Sequence, residues 1–175
     1  MNTSPLLRRL LLIAVLALIP VAAGVALATP GLGLTPTIVA RGTSAEELSI
    51  KGALRKTKIR RSKAIIACGL DRQCDFVFQT ITFQPGGHTG WHSHPGVLLV
   101  TVEAGAVTRY ETNCERNTFA AGRSFVERGS NHVILVRNEG SEPAKVQIAY
   151  VVAAGTSTAG LRIDQPAPED CNPTG

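Results

Sequence analysis

The sequence predicts an all-β fold, an antiparallel barrel or sandwich, and three observations support this prediction. From residue 48 onward the apolar runs are short and rich in β-branched residues. Clusters of turn-forming residues separate these runs at intervals of about eight to fifteen residues. The composition, with 17 glycines, 10 prolines and 18% charged residues, argues against a coiled coil, a helical bundle or a disordered tail.

Seven predicted strands follow one another between residues 63 and 152. They cover residues 63–67, 76–83, 97–102, 106–110, 124–126, 132–136 and 145–152. In the runs 76–83 and 145–152 both alternating faces are partly apolar, which is typical of a strand packed inside a two-sheet β fold. The predicted organisation is a leader over residues 1–28, a linker over 29–47, and a single β domain with a C-terminal tail over 48–175.

The first residues have the layout of an export signal. Arg8 and Arg9 precede a wholly apolar run, and a small-residue segment ending in Ala26-Leu27-Ala28 follows it. This layout predicts a signal peptide cleaved before Thr29. The alternative is an uncleaved hydrophobic helix that anchors the chain in the membrane, because the run is just long enough to span a bilayer. Both readings place the folded domain outside the cytoplasm, secreted or membrane-anchored.

The distribution of charged residues bears on which partners the chain can bind. The formal net charge is +5, and a cluster of seven basic residues lies between Lys51 and Lys63. We expect this cluster to be a solvated face, with contact to anionic envelope polymer or lipid headgroups as the alternative. The predicted partner is a small-molecule ligand, with no nucleic acid and with membrane contact only through residues 8–28 if these are retained. A homodimer is left open.

Four cysteines in an exported chain predict two disulfides, and three pairings are possible. Cys68 and Cys74 flank a short polar turn between two strand-like runs, which favours a local bond between them. Cys114 and Cys171 would then tie a loop to the C-terminal tail. Metal binding by cysteine is the alternative, but the sequence has no C-x-x-C pair.

All four histidines lie in two short segments. Residues 85–94 read P-G-G-H-T-G-W-H-S-H, and His132 is the remaining histidine. On a strand His92 and His94 point to the same face, so their imidazoles can converge on one ion. His88 has the same parity and could follow them. For each histidine taken singly, a hydrogen-bonded surface or core residue is the alternative.

These segments resemble the two motifs of the cupins, and the resemblance covers about residues 75–152. The matching positions of the first motif are Gly86, His92, His94 and Gly105, with Leu98 or Leu99 where the family has a glutamate. The matching positions of the second motif are Gly122, Gly129 and His132, with Glu127 at the proline position and Asn138 late. The resemblance implies a single jelly-roll barrel of antiparallel strands, and the tail supports the pairing of Cys114 with Cys171.

The resemblance also implies a metal site. Its predicted ligands are His92, His94 and His132, with His88 as a possible extra ligand, and Glu103 and Glu111 are not counted among them. Three neutral ligands suit a divalent ion such as Zn, Ni, Fe, Mn or Cu. The residues expected around the pocket are Phe83, Trp91, Leu98, Tyr110 and Phe125.

Three functions are compatible with these features. The favoured one is a binding module that holds a small molecule in the barrel, because no carboxylate ligand, general base or second cofactor motif is evident. The second is a metal-dependent enzyme, an oxygenase, isomerase or hydrolase of unknown substrate. The third is a structural envelope protein without metal. A shared fold does not decide between them.

Overall fold

The computed structural model describes residues 28–46, 48–51, 65–68, 73–129 and 132–174, with the backbone alone for 48–51 and 65–68. The strands are β1 (Leu32–Thr43), β2 (Leu48–Lys51), β3 (Ile65–Cys68), β4 (Cys74–His88), β5 (His92–Ser93), β6 (Val97–Ala104), β7 (Ala106–Glu111), β8 (Arg116–Ala120), β9 (Ser124–Glu127), β10 (Ile134–Arg137), β11 (Ala144–Ala153) and β12 (Ile163–Asp164). A short 3₁₀ helix covers Ala159–Leu161.

Ten of these strands form one antiparallel sheet, which curls into a nearly closed barrel and confirms the predicted fold class. The strand order is β12-β5-β10-β4-β11-β6-β9, with β1 added beside β4 and the pair β7–β8 added beside β10. The strands β2 and β3 form a separate two-stranded sheet. The long strand β4 pairs with β1 along one edge and with β11 along the other.

The structure differs from the sequence prediction at β1. The segment Leu32–Thr43 was predicted to be part of a linker, but it is a strand that pairs with β4 along most of its length. Its Gly and Pro residues are compatible with an edge position, where one side of the backbone needs no ladder partner. Most of its side chains are exposed, so the apolar pattern that marks a buried strand is missing.

Side-chain alternation places the core inside the barrel. In β6 the residues Leu98, Val100 and Val102 are buried and their neighbours Leu99 and Thr101 are exposed. The strand β11 alternates in the same way. The inward side chains of these strands pack with those of β4, β7, β9 and β10 in one apolar cluster.

A second, smaller cluster lies between the barrel wall and the C-terminal tail. It contains Trp91, Tyr110, Leu135 and Cys171, with Val133 packed against it. Cys171 is bonded to Cys114, which confirms that predicted pairing and fastens the tail to the turn after β7. The predicted bond between Cys68 and Cys74 involves a side chain outside the described residues.

Residues 1–27 of the predicted leader (1–28) and nearly all of the basic cluster also lie outside the described residues. Within the part of the chain that is described, no helix is long and apolar enough to cross a membrane.

Candidate metal and ligand site

His92 and His94 lie at the end of the barrel where the chain leaves β4. The turn into β5 passes through Gly90, whose φ is +67°. A Cβ on Gly90 would lie 2.0 Å from the carbonyl oxygen of Thr29, so only glycine fits this close approach. The turn directs both imidazoles inward, where the two residues are only 3% and 5% exposed.

A backbone carbonyl fixes the orientation of each imidazole. His92 Nδ1 lies 3.0 Å from the oxygen of Gly90, and His94 Nδ1 lies 2.6 Å from the oxygen of Leu161. Because a carbonyl oxygen only accepts, both Nδ1 atoms must carry the proton and donate it. In a neutral imidazole the Nε2 atom then has a free lone pair, which is the form that binds a metal.

The third member of the group is Glu127, which lies opposite Leu98 in the pairing of β9 with β6. Its Oε2 is 2.8 Å from His94 Nε2 and 3.9 Å from His92 Nε2. One ligand atom from each of the three residues lies within 4.8 Å of the others, and all three side chains are buried. The carboxylate missing at Leu98 is therefore supplied from the adjacent position on the neighbouring strand.

The electrostatics of this group favour a bound cation. Burial lowers the pKa of His92 to about 4, so its imidazole is neutral at pH 7. Burial alone would raise the pKa of Glu127, but the nearby imidazole of His94 outweighs burial and lowers it, so Glu127 is ionised. Oε2 receives no well-aligned hydrogen bond from the described residues, although His94 is close. An ionised oxygen facing Nε2 lone pairs needs a positive charge between them, which either a metal ion or a proton on His94 supplies.

His132, which the sequence predicts as the third histidine ligand, is not a member of this group in the structure. Its Nε2 is 2.9 Å from Glu111 Oε2, and its Nδ1 accepts from the backbone N–H of Arg128 at 3.3 Å. Glu111 in turn pairs with Arg109 at 3.0 Å. The side chain of His132 is therefore already engaged by a neighbouring carboxylate and an amide.

Three other residues weighed in the sequence also lie outside the group. His88 accepts from the N–H of Gly90 at 3.1 Å and is not near enough to serve as a fourth ligand of the same group. Glu103 forms an exposed ion pair with Lys145. Neither Glu103 nor Glu111 is a member of the group.

The group faces a cavity of about 510 Å³ inside the barrel. Of the predicted pocket residues, Phe83, Leu98 and Phe125 line this cavity. Trp91 and Tyr110 do not, because they pack with Leu135 and Cys171 in the second cluster. The remaining apolar wall comes from Leu34, Ile81, Val100, Val136, Val146, Ile148 and Leu161.

The polar residues of the cavity are few. Tyr150 lies beside His94, with 5.8 Å between the ring centroids, and its hydroxyl donates to Gln79 Oε1 at 2.6 Å. Burial raises the pKa of Tyr150, so the hydroxyl keeps its proton. Arg162 closes one side of the cavity. A mostly apolar cavity with a few convergent polar groups is the usual form of a small-molecule site.

Sequence reasoning noted Glu127 but did not assign it to the site. The signal was its spacing from Phe125, because two residues apart on a strand means the same face. The alternation Phe125 buried, Val126 exposed, Glu127 buried shows that the carboxylate shares the inward face with an aromatic core residue.

Comparisons with known proteins add fold matches only. No protein-family model and no curated protein matches this sequence. A cupin 2 conserved barrel domain protein from Salinispora arenicola matches with 19% identity and a TM-score of 0.40 over 43% of this chain and 61% of that chain. A conserved protein of unknown function from Streptococcus pyogenes matches with 19% identity and a TM-score of 0.39 over 44% and 64%. A polyketide cyclase from Streptomyces resistomycificus matches with 17% identity and a TM-score of 0.39 over 51% and 66%.

The matched solved structures include cupin 2 barrel domains, the family that the sequence resembles. The chain spans less than two thirds of the length of each of these three proteins. The strands and the buried group of this chain themselves define its class, an antiparallel β-barrel with a cavity and a possible metal site at one end.

Proposed function

We propose that this protein acts outside the cytoplasm and binds a small molecule in its barrel, next to a divalent metal ion held by His92, His94 and Glu127. One observation carries the proposal. Two Nε2 atoms and one carboxylate oxygen converge within 4.8 Å in a buried pocket, and both imidazoles are oriented by backbone carbonyls.

The donor set fits a first-row divalent ion. Two imidazole nitrogens and one carboxylate oxygen suit Zn, Fe, Ni, Mn or Cu, and the carboxylate offsets one of the two positive charges of such an ion. Since only three protein ligands come together in the described residues, a bound ion would keep open positions toward the cavity. When bound, the ion supplies a Lewis-acidic centre to which an oxygen or nitrogen of a ligand can bind.

The residues around this group would orient the bound small molecule and exclude water from the cavity. The apolar walls cover the body of the ligand, and the carbonyls of Gly90 and Leu161 keep both Nε2 atoms aimed at the same point. Tyr150 remains protonated and already donates to Gln79, so it shapes the wall beside His94 rather than supplying a proton acceptor.

Export is supported by the leader pattern of the sequence and by the disulfide between Cys114 and Cys171. Such bonds persist in oxidising compartments and are rare in the cytosol. Fractionation of cells that produce the full-length chain tests this part, and recovery of the protein from the cytosol with reduced cysteines would contradict it.

The metal is tested by calorimetric titration of the purified full-length chain, after chelator treatment, with Zn, Ni, Fe(II), Mn and Cu. We expect stoichiometric binding of at least one ion by the wild type and strong weakening in Glu127→Gln. His88→Ala serves as the matched control, because His88 lies outside the group, and should bind as the wild type does. An absence of binding by the wild type at neutral pH would contradict the proposed metal site.

A further inference from the structure

One side of the cavity is formed by Arg162, whose backbone position is fixed beside the two histidines. Arg162 follows the 3₁₀ helix directly, and the preceding residue, Leu161, accepts the hydrogen bond from His94. The next two residues form β12 and pair with Ser93 and His92 of β5. The same segment therefore orients the histidines and brings a guanidinium to the cavity.

Only part of this guanidinium is used by the protein. Its Nε donates to Asp164 Oδ1 at 2.5 Å. Its Nη2 is buried and meets no hydrogen-bond acceptor among the described residues. A buried donor on a charged group without an acceptor is costly, so the site is complete only when an acceptor is brought to it.

Arg162 is also the one lysine or arginine among the described residues that line the cavity. Its positive charge acts on the interior, since it contributes to lowering the pKa of His92 and opposes the rise in the pKa of Tyr150. The guanidinium thus faces the same space as the metal-binding group.

Two other arginines have a buried nitrogen without an acceptor, and their surroundings differ. The guanidinium of Arg109 lies against the rings of Phe119 and Phe125, at 5.6 and 5.4 Å, and pairs with Glu111. Arg137 donates to the carbonyl oxygen of Pro173. Neither of them lines the cavity, so their unused nitrogens face packed protein rather than a ligand space.

We propose that Arg162 binds an oxyanion group of the ligand, so that the cavity takes a small molecule with an apolar body and a carboxylate or phosphate group. This inference rests on the proposed function, because it names the class of ligand for the same cavity. An arginine offers parallel N–H groups that match the oxygens of a carboxylate or phosphate. The walls from Phe83, Leu98 and Val100 suit the apolar body. The negative charge of Glu127 does not oppose this, since His94 or a bound cation balances it.

The test compares three probes that share one apolar naphthalene body, added to the full-length chain: 2-naphthoate, its uncharged isostere 2-naphthamide, and 2-naphthyl phosphate. Titrations are made after chelator treatment, so that a metal ion cannot attract the oxyanion. We expect the wild type to bind one of the charged probes at least about 10-fold more tightly than the amide, the ratio expected of a charged hydrogen bond. Which of the two binds more tightly tells whether the group is a carboxylate or a phosphate.

Arg162→Gln should abolish this preference and still bind the amide. Arg123→Gln is the matched control, because Arg123 is exposed and remote from the cavity lining, and it should keep the preference. Arg162→Gln should bind the metal ion at least as tightly as the wild type, because it removes a positive charge from the cavity and keeps all three residues of the metal group, which shows that the barrel is intact.

The outcomes separate the two proposals. Equal affinity of the wild type for charged and uncharged probes would overturn the role of Arg162 and leave a small-molecule cavity. A preference that survives in Arg162→Gln would do the same. No binding of any of the three probes would contradict the ligand-binding function and the oxyanion site together, whereas the metal titration would still report on His92, His94 and Glu127.

Discussion

The barrel contains two buried carboxylates, Asp75 and Glu127, and they have opposite surroundings. Asp75, which is 3% exposed, accepts from Arg41 Nε at 3.1 Å and Nη2 at 2.5 Å, from Thr43 Oγ1 at 2.7 Å and from the N–H of Gly155 at 3.0 Å. Glu127, which is 5% exposed, has among the described residues the imidazole nitrogens of His94 and His92 as its ion-pair partners, at 2.8 and 3.9 Å. The two carboxylates are therefore similarly buried, but Asp75 has a full set of hydrogen-bond donors and Glu127 does not.

The difference separates a structural carboxylate from one that is available to a ligand. Asp75 joins β1, β4 and the turn after β11, and every one of its contacts is a donor that favours the ionised form. The imidazoles beside Glu127 offer lone pairs, because their protons are committed to the carbonyls of Gly90 and Leu161. We expect the first carboxylate to stabilise the fold and the second to bind a cation.

The largest effect on stability should come from Asp75→Asn. The substitution keeps the shape of the side chain but removes its charge and reverses one hydrogen-bond role, which leaves Arg41 without its counter-ion. We expect a loss of about 3 kcal/mol in the free energy of unfolding, measured by chemical denaturation. Asp170→Asn is the control, because Asp170 is exposed, and should be nearly neutral. Equal stability of the two variants would remove the structural role of Asp75.

Moving the carboxylate from Glu127 on β9 to the position of Leu98 on β6 should keep a metal site in the cavity but change its affinity. Glu127→Leu should weaken binding by about 100-fold or more, beyond the loss typical of an outer-shell partner. Because Leu98 lies opposite Glu127, is buried and lines the cavity, the double variant Leu98→Glu/Glu127→Leu should recover much of that affinity. Affinity in the double variant no higher than in Glu127→Leu would show that the geometry at residue 127 itself is required.

Glu127→Gln should have little effect on the stability of the metal-free protein. The cost of burying the Glu127 carboxylate offsets most of the stabilisation that it receives from the neighbouring imidazoles, so its charge contributes little net stability. We expect a change below about 1 kcal/mol in chelator-treated protein, compared under the same conditions with Asp75→Asn. A loss as large as that of Asp75→Asn would mean that the ion pair with His94 is structural, and the contrast between the two carboxylates would fail.

The smallest effect should be on how the stability difference between the wild type and Asp75→Asn varies with pH. The hydrogen bonds from Arg41 and Thr43 hold the pKa of Asp75 below its ordinary value of 3.8. A group with a lowered folded-state pKa contributes fully above the ordinary pKa, and its contribution is lost as the pH falls below that value. Wild type and Asp75→Asn should therefore converge in stability below about pH 4. A constant difference down to pH 2 would contradict the assignment of this effect to ionised Asp75.

Local pattern was sufficient to predict β4, β6, β7, β9, β10 and β11 and two of the three candidate site residues, but not β5, β8 or β12. The alternation of apolar residues in β6 and β11 marked inward faces, and the same parity argument brought His92 and His94 together. The strand β1 was missed because its exposed side chains carry no apolar period. Sequence spacing also could not show that Glu111 engages His132, since this contact depends on how β7 and the loop after β9 approach each other in space.

The central claim is that Glu127, and not His132, completes the metal group with His92 and His94. The most direct measurement is the metal affinity of His132→Ala and Glu127→Gln, purified in parallel and titrated with the ion that the wild type binds most tightly. We predict that the metal affinity of His132→Ala stays within about 3-fold of that of the wild type, since His132 pairs with Glu111. The metal affinity of Glu127→Gln should fall by more than the roughly 10–100-fold loss that is typical when a residue supporting a metal ligand is removed, because Glu127 is itself a ligand. Loss of the metal in His132→Ala with retention in Glu127→Gln would contradict the account.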